Sequence, residues 1–140
     1  LSEDEKAASL FSDLFGDANA EYRASLERYY EQGPPADWEQ CYISAYASSH
    51  PLEDWAETWS HYLLMHDALE TAHAHRMIDT PPSSSALVER ISQWQAVSVG
   101  LNEMNQSVGR EDAYPFVISA QVHNKLAYVD AMISRLRKLQ

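Results

Sequence analysis

Glycines and prolines cut this chain into segments, and within the segments the apolar residues recur every three or four positions. The stops are Gly16, Gly33-Pro34-Pro35, His50-Pro51, the stretch DTPPSSS at 79–85 and Gly109. A three-to-four spacing is one face of an α-helix, whereas a half-buried strand would alternate every second residue. No segment alternates convincingly and no internal repeat is visible. The pattern therefore predicts an all-α fold, a single compact domain of about six helices over residues 1–140.

The helix boundaries follow from local signals. Ser2 with Glu5 makes a capping box for a first helix that carries Leu10, Phe11, Leu14 and Phe15. A second is expected from about Asn19 to Gln32, with Tyr22, Leu26, Tyr29 and Tyr30 at helical spacing. Asp37 caps a third that runs through about Tyr46. His50-Pro51 ends it, because the residue before a proline avoids the α region. Pro51 suits the first turn of the next helix. That fourth helix is the long one, about Leu52 to Arg76, with Trp55, Trp59, Tyr62, Leu63 and His66 along it. A fifth is expected from about Ala86 to Val108, then a loop REDAYPF, then a sixth from Ser119 to Lys138.

Composition narrows the partners. A hydrophobic content of 45% in 140 residues is enough for a core without disulfides or structural metal. The formal net charge of −11 disfavours nucleic acid and anionic membranes. The basic RLRKL near the end reads as a complement to a helix dipole. The one cysteine, Cys41, cannot form an internal disulfide and reads as a buried thiol in a reduced, cytoplasmic setting. No apolar run approaches the roughly 18 residues a membrane span requires, and no signal peptide is visible.

Chemistry concentrates on the long helix. Glu53, Glu57 and His61 stand at i, i+4 and i+8 and form one row along it. Carboxylate and imidazole are good ligands for zinc or iron. The same row also fits a solvated acidic face of an amphipathic helix. The elbow SAYASSHPLEDWAE could return Tyr46 to the side of Glu53. Asp54 lies roughly 100° round the helix from Glu53 and reads as a helix-start charge. His73 and His75 point to different sides, His66 belongs to the apolar side, and His123 stands alone. His50 has backbone within reach. There is no HExxH, no Ser–His–Asp pattern and no glycine-rich phosphate loop.

The runs GPPADW, SAYASSHPLEDWAETWSHYL and MNQSVG…YPFV, with FSDLFGDANAEY near the start and KLAYVDAMI near the end, resemble the C-terminal part of a bacterial family of zinc-binding metallopeptidases. That family has a zinc-ribbon-like N-terminus and a gluzincin-type catalytic region. The resemblance implies a zinc hydrolase acting on peptides or proteins. An HExxH helix would give two histidine ligands and a general base, and a Glu from a later helix would complete the site. Carried over to this chain, the first Glu of the ExxAE pattern is Glu53, the third zinc ligand. The Tyr seven residues earlier, beside the substrate carbonyl in similar gluzincins, is Tyr46. Glu57 becomes an acceptor supporting a ligand and the alternative ligand, with His61 hydrogen-bonded to it.

The HExxH helix that the resemblance requires is not in this sequence. The expectation is a piece of a longer protein whose HExxH lies upstream, so that these 140 residues alone are not an active peptidase and do not hold zinc tightly. The competing possibility is a complete chain that has lost the catalytic half. Two other functional readings stand beside the leading one. One is a non-catalytic helical binding or oligomerisation module. The other is a self-contained metal site from Glu53, Glu57 and His61, completed by His50. A missing packing partner would also leave a face open to self-association.

Overall fold

The capping box at the start forms as the sequence dictates. Ser2 Oγ accepts from the Glu5 N–H at 3.1 Å, and Glu5 Oε2 accepts from the Ser2 N–H at 2.6 Å. In the computed structural model, which describes residues 1–140, helix α1 then runs Glu3–Phe15. It is followed by α2 Tyr22–Gln32, α3 Trp38–Cys41, α4 Pro51–Ala74, α5 Leu87–Ser107 and α6 Ala120–Lys138. Two short 3-10 turns, Tyr46–Ser49 and Pro82–Ser84, fill two of the connections. There is no strand, and the all-α expectation of about six helices holds.

The chain forms two compact units, Leu1–Ser60 with Val117–Gln140, and His61–Phe116. Helix α4 belongs to the first through Ser60 and to the second from His61.

In the first unit the aromatic rings of Phe11, Phe15, Trp55 and Tyr128 meet edge-on or stacked at centroid distances of 4.9 to 6.2 Å. Val122, Leu126 and Val129 of α6 are fully buried, as their i, i+4, i+7 spacing requires. Gly16 ends α1 at φ +99°, and a Cβ there would come within 3.3 Å of Pro51 Cγ. The glycine thus serves both the turn and the close approach to the start of α4.

The third helix is much shorter than its pattern predicts. It ends at Cys41, and Tyr42 is already extended. The cause is a distant partner. Lys125 of α6 donates from Nζ to the Cys41 carbonyl at 2.6 Å and to Asp54 Oδ2 at 2.6 Å. The ammonium satisfies an end-of-helix carbonyl, as cations do, and its stem is buried with the Tyr42 ring 4.4 Å from the nitrogen. The chain then turns, and Ser44 Oγ accepts from the Ala47 N–H at 3.1 Å to start the Tyr46–Ser49 turn.

This also corrects the role of Asp54. It does stand in the first turn of α4, but it is 1% exposed and forms a buried ion pair with Lys125 rather than serving only as a helix-start charge. Burial pushes its carboxyl up to about 6, while Lys125 pulls the other way. Cys41 is half-buried rather than buried, and its carbonyl, not its thiol, makes the structural contact.

In the second unit Trp94, Leu69, Met65, Ile91 and Ala72 are buried. Asn102 clamps the Tyr114 backbone, donating to its carbonyl at 2.8 Å and accepting from its N–H at 2.9 Å. Arg90 donates to the Tyr62 hydroxyl at 3.0 Å.

Candidate functional site

Helix α4 starts on an unusual cap. His50 precedes Pro51, and its Nδ1 accepts from the Leu52 N–H at 3.0 Å. One of the first-turn donors that no helical carbonyl can reach is thereby satisfied. With Nδ1 an acceptor, Nε2 carries the proton and donates to the Ala20 carbonyl at 2.8 Å. The imidazole is 2% exposed. It therefore fixes the start of α4 to the turn between α1 and α2.

Tyr22 follows two residues after Ala20, at the first position of α2, where Glu21 caps the helix by accepting from the Ala24 N–H at 2.7 Å. The Tyr22 ring lies edge-on to His50 at 5.0 Å. Its hydroxyl donates to Glu53 Oε1 in the first turn of α4. The bond to Glu53, together with desolvation and the carboxylate's charge, pushes the Tyr22 phenol up to about 12. Tyr46 joins the same cluster. Desolvation chiefly, and then the Glu53 charge, raise its phenol above the ordinary value, and it interacts with Tyr22 as well. The elbow thus brings Tyr46 back to Glu53, as the sequence suggested.

Glu57 lies one turn further along and accepts from Ser44 Oγ at 3.0 Å. Ser44 therefore ties the elbow to α4 through Glu57, while its bond from Ala47 closes the elbow's own turn. His61 is 7% exposed. Its Nδ1 is hydrogen-bonded to the Tyr114 hydroxyl at 2.9 Å, and the rings of Tyr114 and Phe116 lie edge-on to it. Burial pushes the Tyr114 phenol up to about 12.

The structure thus gathers Tyr46 and Glu53, and it gives Glu57 and His61 separate polar partners. No three His, Cys, Asp or Glu side chains converge closely enough to hold a metal ion. His66 meets only Glu70 on its own helix, at 3.2 Å. Two members of the cluster were not legible as such. Tyr22 read as part of an apolar stripe, because nothing local marks a phenol whose partner is 31 residues away. The capping role of His50 had a local signal, a polar side chain immediately before a helix-opening proline.

Fold and cluster together describe a helical protein with two phenols and a carboxylate at the head of its longest helix. Residues 1–132 match the family described as "Putative zinc-binding metallo-peptidase", and the chain belongs to that family. It is 40% identical over 135 residues to uncharacterised proteins of Mycobacterium bovis and of two strains of Mycobacterium tuberculosis. Each alignment covers 91% of this chain and 40% of the relative, so the chain spans well under half the length of the curated relatives it matches. No solved structure gives a significant match. No helix is long and apolar enough to cross a membrane.

Proposed function

We propose that these residues form the helical part of a zinc-dependent peptidase and supply Glu53 as the third zinc ligand, the other ligands coming from an HExxH helix outside this sequence. The observation that carries this reading is the Tyr22–Glu53–Tyr46 cluster at the head of α4. Its chemistry fits zinc. Glu53 is a carboxylate only partly buried, with one oxygen held by Tyr22 and Tyr46 close enough to feel its charge. Carboxylate oxygens are ordinary zinc donors, and a fixed partner on one oxygen orients the other.

When bound, zinc polarises a peptide carbonyl and makes its water a nucleophile near neutral pH. The chain's own residues do the rest. The Tyr22 hydroxyl fixes the rotamer of Glu53. The Tyr46 hydroxyl donates a hydrogen bond to the substrate oxygen as it gains negative charge, the kind of contact worth most in the transition state. Glu57, held by Ser44, is the supporting acceptor for the ligand shell and the alternative ligand.

The test is zinc content and peptidase activity of the full-length protein after Glu53→Gln. Loss of both is expected. Full zinc occupancy in Glu53→Gln would overturn the ligand assignment, and loss of zinc in Glu57→Gln alone would transfer it to Glu57.

A further inference from the structure

Beside Tyr46 the first unit contains a polar groove of about 300 Å³. One wall is a face of α2 made by Ser25, Arg28, Tyr29 and Gln32, which stand at i, i+3, i+4 and i+7. The bend at 33–35 and the turn residues Ser48 and Ser49 complete it. The groove is continuous with the candidate site in two ways. Tyr29 lies edge-on to Tyr46 at 5.9 Å. Ser48 and Ser49 belong to the same 3-10 turn as Tyr46.

Its chemistry is one-sided. Arg28 is the single charged residue on its walls, in a chain of net charge −11. Neighbouring Arg23 is engaged with Glu27 at 3.1 Å, but Arg28 makes no ion pair. Ser49 is 6% exposed, and its hydroxyl has no hydrogen-bond partner within the chain. That oxygen lies beneath the surface of the wall, so Arg28 is the charged group placed to meet a ligand. A guanidinium fork matches a carboxylate with two parallel hydrogen bonds.

We propose that this groove is the subsite for a carboxylate of the peptide substrate, with Arg28 as its specificity-determining residue. The inference rests on the peptidase reading of Tyr46 and Glu53. A carboxylate can come from an Asp or Glu side chain or from a free C-terminus, and both present the same group to Arg28.

The test uses the full-length protein stripped of metal by chelator, so that peptides bind without being cleaved. Affinity is measured by fluorescence anisotropy for peptides that differ only by Glu against Gln, each with a free or amidated C-terminus. The carboxylate-bearing peptides should bind about tenfold more tightly. That advantage should vanish in Arg28→Ala and turn toward a Lys-containing peptide in Arg28→Glu. A gain only with free C-termini assigns the groove to the chain end, and a gain only with Glu assigns it to a side chain. Equal affinity for all four peptides, or a preference that survives Arg28→Ala, overturns the proposal. Zinc content of Glu53→Gln is measured separately, so failure of the ligand assignment is distinguishable from failure of the groove.

Discussion

The Tyr22 hydroxyl donates to Glu53 Oε1 across 31 residues of sequence, from the first position of α2 to the first turn of α4. This bond joins two helix starts that His50 has already fixed by its own bonds to Ala20 and Leu52. In the peptidase reading it makes Tyr22 a positioning residue for the metal ligand. Tyr22→Phe retains the ring against His50 and removes only the hydroxyl. The full-length variant is expected to keep its fold and lose about 10- to 100-fold in zinc affinity. Chelator competition measures this, and unchanged affinity would show that Glu53 needs no such support.

Tyr46 has a different signature. Tyr46→Phe should leave zinc content intact and lower kcat by roughly 100-fold, with little change in KM, because its contact belongs to the transition state. A rise in KM at constant kcat would make Tyr46 a substrate-binding group instead.

The Lys125–Asp54 pair is buried on both sides. Asp54→Asn or Lys125→Met alone leaves a charge in the core without its partner and should cost about 3–5 kcal/mol in urea unfolding. The double change Asp54→Leu with Lys125→Met should recover most of that loss, since a well-filled apolar replacement avoids desolvating two ions. The Cys41 carbonyl would still lose its donor, so full recovery would mean that this bond adds little.

His50→Ala removes the acceptor for the Leu52 N–H and the donor to Ala20. A loss of about 1–3 kcal/mol is expected, covering one helix cap and one buried unpaired carbonyl. His50→Asn should recover part of it, since an amide oxygen can still cap the helix. Thermal unfolding of the two variants against the parent chain is the measurement.

Tyr114 gives a pH dependence with a definite sign. Burial raises its phenol from 10.0 to about 12 in the folded chain. Between those values the unfolded chain has lost the proton and the folded chain has not, so stability falls as pH rises. The contribution is complete below about pH 10 and amounts to roughly 3 kcal/mol lost by pH 12. Urea unfolding at a series of alkaline pH values should show a shallower decline for Tyr114→Phe than for the parent. Identical slopes would show that Tyr114 ionises in the fold as readily as in water.

The helices and the family were legible in the sequence because their signals are local. Helical spacing, the Ser2–Glu5 box, Pro51 at a helix start and the ExxAE run lie within a few residues of one another, so no tertiary partner is needed to read them. The elbow between Tyr46 and Glu53 was legible for the same reason. The end of α3 was not, because a lysine 84 residues away takes the Cys41 carbonyl. Asp54 read as a helix-start charge because its place in the first turn of α4 is a local signal, while its buried partner comes from α6. Tyr22 looked apolar because only its ring is visible in a helical pattern. Local periodicity, capping and turn chemistry thus determined the elements. The folded chain decided which polar groups meet, because a buried ion pair or a phenol–carboxylate bond depends on two distant segments arriving at one place.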